Sequence, residues 1–331
     1  MSTTAARLSG SAFIADLSPR ERSLWRVVVT VIVGLAGGLI VGLVVGAIAL
    51  FAFVAISGPF GGGVTALRQA AGVILSADGA SLTSALVLLV LATATNAPLA
   101  VAFIGVAALL SGRRLLSYLT AAPRFRWRLL LMGLLLSFVA VGPVVAIGQL
   151  LDPHAAPPPL LSLTPDLGGR ILYAVAGFAL LIPAAAAEEV VFRGWLLRQS
   201  AALTRNPWAL MALNGALFSA VHGEFAPDPF LTRALMGAGF VYMTLRLGGV
   251  EFSIGAHAAN NILIVLFLQP LTLKPTASEG VSGESLLQDI YLFGSYVVMA
   301  ELMVRWGPLR RWSGVDPLVV PTATAAAAPV S

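Results

Sequence analysis

LLIPAAAAEEVVFRGWLL, residues 180–197, sets two adjacent glutamates, Glu188 and Glu189, inside an apolar run with Arg193 just behind them. Charged groups inside an oily helix are costly and mark function when they occur. Whether this run is such a helix is decided by the rest of the chain. Of its 331 residues 58% are hydrophobic and 11% charged, whereas a soluble domain carries roughly 25% charged residues. The chain therefore reads as an all-α, polytopic membrane bundle of about eight transmembrane helices around a buried polar site.

A bilayer core takes about 20 apolar residues per helix. By that measure eight spans emerge, at 26–56, 81–111, 128–150, 171–203, 207–223, 230–246, 252–269 and 286–305. The first run is too long for a signal-peptide core and has no cleavage site after it. Residues 58–80 have room for a short interfacial helix, and the Pro- and Gly-rich stretch 152–169 reads as a loop. The organisation that follows is a loose, arginine-bearing cytoplasmic arm (1–24), three helices with loops (25–170), a core (171–269), a last helix (270–312) and a disordered tail (313–331).

The positive charges set the orientation. One side takes Arg7, Arg20, Arg22, Arg26, Arg113, Arg114, Arg124, Arg126, Arg128, Arg193, Arg198, Arg205, Arg246, Arg305, Arg310 and Arg311; the other takes Arg68, Arg170, Arg233 and Lys274. Sixteen against four is a positive-inside signal that puts both termini in the cytoplasm and the chain in the inner (plasma) membrane. The net charge of +5 thus reports membrane orientation and not a nucleic-acid surface. The chain has no cysteine, so disulfides, thiolate nucleophiles and zinc–thiolate sites are excluded.

The buried titratable residues gather on three helices of the second half: Glu188, Glu189 and Arg193, then His222, then His257 with Asn260 and Asn261. Glu189 and Arg193 are four apart and share a face; Glu188 is turned about 100° away and is free to face something else. Phe218 and His222 share a face, as do His257 and Asn261. Glu188 and His222 stand equally far, roughly 25 Å, from the turn at 204–207, so they are level in an antiparallel pair. Chemically this is a hydrolase set without a cofactor or metal. A desolvated glutamate acts as base on water, a histidine holds that water, and a second histidine with an amide supplies donors for an oxyanion. Each part also has a plain structural reading: an ion pair, an interfacial histidine, interhelical polar contacts.

The three motifs resemble those of the type II CAAX prenyl endopeptidase and bacteriocin-processing (ABI, or CPBP) family. EEVVFR (188–193) resembles its E-E-x-x-x-R motif, FSAVH (218–222) its F-x-x-x-H, and HAANN (257–261) its H-x-x-x-N, in the same order. The similarity covers about residues 171–269. It implies an intramembrane glutamate endopeptidase acting on a membrane-associated protein or peptide. Glu188 and His222 would activate water, His257 and Asn261 would form the oxyanion hole, and Glu189, Arg193 and Phe218 would support the site. Three other readings compete: a non-catalytic scaffold or immunity-type partner of the same fold, a proton-coupled transporter, and a zinc site built from two histidines and a glutamate. A turn at 204–207 on the cytoplasmic surface sends Glu188 towards the outer leaflet, whereas the resemblance implies a site reached from the cytoplasm. The two expectations agree only if the fourth helix overruns the bilayer.

Overall fold

The computed structural model describes residues 3–57, 71–73, 79–164, 166–272 and 280–315. The interfacial helix expected within 58–80 and the disordered tail fall largely or wholly outside these residues. The bundle is helical, and the one β feature among the described residues is an isolated bridge between Thr120 and Gly249. In chain order the helices are α1 (Thr3–Ser9), α2 (Leu24–Ser57), α3 (Leu82–Ser111), α4 (Trp127–Leu151), α5 (Leu167–Leu203), α6 (Pro207–Ala220), α7 (Pro227–Leu247), α8 (Glu251–Leu268), α9 (Gly283–Arg305) and α10 (Gly307–Trp312). All eight apolar segments are helical. Six of the helices, α2, α3, α4, α5, α8 and α9, are long and apolar enough to cross a membrane. With 14 residues α6 is about 21 Å long and falls short of a ~30 Å core. Helix α7 has the length but carries Asp228, Arg233 and Arg246, and from Met236 to Leu247 it is buried on every side. It is the axis of the bundle.

Glycines set how closely the helices approach. Gly34, Gly38, Gly42 and Gly46 recur every four residues along α2 and form one face. A Cβ at Gly38 would stand 2.9 Å from the Leu99 carbonyl oxygen, and one at Gly42 2.5 Å from that of Thr95. Bare backbone thus lies on α3, the small-residue packing that serves where lipid gives no hydrophobic drive. Helices α4 and α8 meet in the same way: a Cβ on Gly255 would enter the Leu130 carbonyl oxygen, and one on Gly133 that of Phe252. Gly255→Val is therefore expected to push α4 off α8 and cost about 1–3 kcal/mol or more by overpacking; an unchanged melting temperature in detergent would refute the close approach.

The arm expected to be loose is docked. Leu8, Phe13 and Ile14 are buried in the main core with Leu197, Ala201, Met243 and Leu247. Arg198, itself buried, donates to the Phe13 carbonyl and pairs with Glu21 at 3.0 Å and Asp16 at 2.7 Å; Arg113 pairs with both acids at 2.8 Å, and Arg205 donates to the Ile14 carbonyl. The arginine end of α5 therefore faces the arm and not lipid. Burial alone raises both carboxyls, but hydrogen bonds and charge from Arg113 and Arg198 outweigh it, holding Asp16 down to about 2 and lowering Glu21. Groups depressed in the folded state contribute stability above their ordinary values near 4 and lose it as pH falls towards the folded ones. The arm is thus expected to stay docked from pH 8 to 5 and to release between about pH 4 and 2. Since the chain lacks cysteine, anisotropy of a dye on a Ser9→Cys variant reads this directly; release near pH 6 would contradict it.

At the arginine-rich end Trp25, Trp127, Trp306 and Trp312 are exposed beside arginines, with Arg26 on Trp25 and Arg128 on Trp312. Such a belt marks a membrane–water interface. Arg126, at the start of α4, is locked there to Glu251 at 2.7 Å and to the Leu247 carbonyl at 2.8 Å. Helix α5, with 37 residues, is about 55 Å long against a ~30 Å core. Its end at Leu203 therefore does not mark the hydrocarbon boundary.

Candidate active site

The site begins where α5 changes winding. After Pro183 come four alanines, of which Ala184, Ala185 and Ala187 are buried against neighbours, and then the two glutamates. From Val190 to Leu196 the helix is π-wound, a rare geometry that occurs mostly at functional positions. Glu189 and Arg193 are both fully buried and pair at 2.8 Å. The guanidinium also donates to the Gly237 carbonyl at 3.2 Å and lies over Phe218 at 4.3 Å and Phe240 at 5.0 Å. The carboxylate, the carbonyl and the two ring faces offset much of the cost of burying this cation, although its Nε is left without a hydrogen-bond partner among the described residues.

The same carboxylate oxygen that holds Arg193, Oε1 of Glu189, lies 2.9 Å from Nδ1 of His257. An ionised carboxylate only accepts, so Nδ1 carries the proton. The His257 ring stacks on Phe240 at 5.1 Å and meets the edge of Phe218 at 5.9 Å. Its other nitrogen, Nε2, is 3.7 Å from Oε2 of Glu188.

His222, just past the end of α6, is fixed in a parallel manner. Its Nδ1 is 2.7 Å from the Phe218 carbonyl, which only accepts, so this proton is also assigned to Nδ1. Its Nε2 is 4.0 Å from the same Glu188 oxygen. Phe218 wedges between the two histidines, 4.8 Å from His222. Glu188 and His222 keep 26% and 32% of their side-chain surface exposed, against 3% for His257. The cluster is thus closed on the His257 side and open beside Glu188 and His222, while Oε2 of Glu188 itself is buried without a hydrogen-bond partner among the described residues.

Glu188, His222 and His257 are therefore brought together, with Glu189, Arg193 and Phe218 directly behind them. Asn261 follows His257 by one turn on α8, is partly exposed, and its amide is left without a hydrogen bond among the described residues. Asn260 instead turns to Met236, at 3.6 Å. His154 lies in an exposed loop beside Asp152. No group of three His, Cys, Asp or Glu able to hold a metal stands among the described residues. Sequence reasoning missed Gly237, Phe240 and Tyr296, which reach the cluster from α7 and α9. An aromatic at helical spacing carries no local sign of such a role.

Residues 170–263 match the family model described as "Type II CAAX prenyl endopeptidase Rce1-like". The chain is also similar to the uncharacterized protein YyaK of Bacillus subtilis (strain 168), 30% identical over 160 residues that cover 45% of this chain and 51% of YyaK. The chain thus spans about half the length of that curated relative. No solved structure matches. The match to residues 170–263 bears out the resemblance carried by EEVVFR, FSAVH and HAANN: that stretch is similar to the Rce1-like family model and lies within a chain of helices long and apolar enough to cross a membrane.

Proposed function

We propose that the chain is an intramembrane endopeptidase that hydrolyses a peptide bond of a membrane-associated protein or peptide with a glutamate-activated water. The observation that carries this reading is the placement of Oε2 of Glu188, which faces Nε2 of His222 at 4.0 Å and Nε2 of His257 at 3.7 Å. Both separations exceed a direct hydrogen bond and suit one intervening water. That water donates one hydrogen to Glu188 and the other to His222, whose Nε2 is an acceptor in the assigned tautomer. Its free lone pair then attacks the scissile carbonyl as Glu188 takes the proton. Glu188 afterwards returns the proton to the leaving amine.

The developing oxyanion falls to Asn261 and His257. With Nδ1–H committed to Glu189, His257 donates from Nε2 only when the ring holds both protons. Glu189 and Arg193 fix that ring and do not react.

The arginine-rich end is read as cytoplasmic, with both termini there and the chain in the plasma membrane. From Glu251 to His257, α8 advances only about 9 Å into the bundle. This supports a site just inside the cytoplasmic interface, the side that the resemblance implies.

The test is cleavage of a peptide library by the protein purified in detergent, beside Glu188→Ala. Defined products from the wild type and none from the variant support the reading; equal products, or none from either, refute it. EDTA and phenanthroline are expected to leave turnover unchanged. Inactivation reversed by added zinc would favour a metal mechanism instead.

A further inference from the structure

Beyond residues 170–263, one buried polar group reaches the cluster from the last long helix. Tyr296 of α9 is fully buried. Its ring packs on Phe240 at 5.0 Å, and Phe240 is the ring on which His257 stacks. Gly239 makes room for it: a Cβ there would stand 2.5 Å from the tyrosine ring. The hydroxyl has no hydrogen-bond partner among the described residues, and the charged groups that act on it are Glu189 and Arg193.

Those two residues have complementary needs. Oε1 of Glu189 serves both Arg193 and His257, whereas its Oε2 is buried without a partner, as is Nε of Arg193. Ser253 is close enough to Glu189 to interact, but its one proton is directed to the Val250 carbonyl at 3.0 Å. A buried hydroxyl, a carboxylate oxygen and an N–H that all stand unpaired are costly separately. Tyr296 and the Glu189–Arg193 pair act on one another electrostatically, and a hydroxyl, a carboxylate oxygen and an N–H are the kind of two to four polar partners that hold a buried water. If the hydroxyl were idle, phenylalanine would fill this apolar socket at lower cost.

We propose that Tyr296 is a positioning residue of the cluster. Its hydroxyl donates, through one bridging water that also accepts from Nε of Arg193, to Oε2 of Glu189. This loads the free oxygen of the carboxylate and stops it from turning, so that Oε1 stays on Nδ1 of His257 and Nε2 stays aimed at Glu188. The kinetic consequence rests on the peptidase reading above; the link from Tyr296 to Glu189 does not.

The experiment is a double-mutant cycle of Tyr296→Phe and Glu189→Gln, read by melting temperature in detergent, with single-turnover rates on a peptide that the wild type cleaves. Tyr296→Phe is expected to lower the melting temperature, and much of that loss should vanish in the Glu189→Gln background, as coupled partners require. The rate should fall roughly 10-fold, the size of effect that orienting partners of a functional histidine have, with KM unchanged. A melting temperature that rises or stays the same, or effects that simply add, would overturn the link. If Glu189→Gln does not fold, the sign of the Tyr296→Phe shift decides alone. If the wild type cleaves nothing, the peptidase reading fails while the melting cycle still tests Tyr296.

Discussion

Glu188→Gln is expected to abolish cleavage and to leave the protein folded. The amide keeps the size and shape of the side chain but cannot take a proton from water. The loss should be at least ~100-fold, the lower range for a general base. The fold should tolerate the change because Glu188 is partly exposed and has no direct hydrogen bond, with its histidine neighbours at 3.7 and 4.0 Å. Glu189, the next residue, is its opposite: fully buried, ion-paired and hydrogen-bonded. Single-turnover rate and melting temperature on one preparation check both halves. Comparable turnover in the variant would remove Glu188 from the role of base.

Arg193→Ala is expected to damage the fold before it damages the chemistry. The change leaves Glu189 as an uncompensated buried charge, which costs about 3–5 kcal/mol, against a typical net stability of 5–15 kcal/mol for a folded domain. It also empties the space over Phe218 and Phe240 and releases the Gly237 carbonyl. Arg193→Lys should rescue little. A lysine head is a point charge without the planar fork that reaches a carboxylate and a carbonyl at once. The expected readout is low yield and early melting for both variants. An Arg193→Ala protein that is abundant and melts normally, yet is inactive, would move Arg193 from support into direct contact with substrate.

The helical segments and the Glu189–Arg193 pair were legible because their signals are local. Apolar run length needs no tertiary information, and four residues is one turn. The second role of Glu189, as acceptor for His257, was not legible, because a chain separation of 68 residues fixes no geometry. The docked arm was missed for a related reason. Residues 1–24 are too polar to bury themselves, and what buries them is Arg198, 177 residues away from Glu21, together with Arg113. Glu188 and His222 do meet, as their equal count from the turn at 204–207 requires, but the same count carries no sign that the end of α5 beyond them is wrapped by the arm. The glycine face of α2 was readable in principle, since Gly34, Gly38, Gly42 and Gly46 keep strict four-residue spacing, but it is hidden in a helix that is apolar all round.

The central claim is that water itself, activated by Glu188, attacks the peptide bond. A glutamate can also act as a nucleophile and form an anhydride that water then opens. Repeated turnover in H2(18)O separates the two, read by mass spectrometry of both the product and the enzyme fragment that contains Glu188. Direct attack predicts one 18O in each new product carboxylate and none in Glu188. Label accumulating in the Glu188 side chain, or cleavage that persists at the wild-type rate in Glu188→Gln, would contradict it.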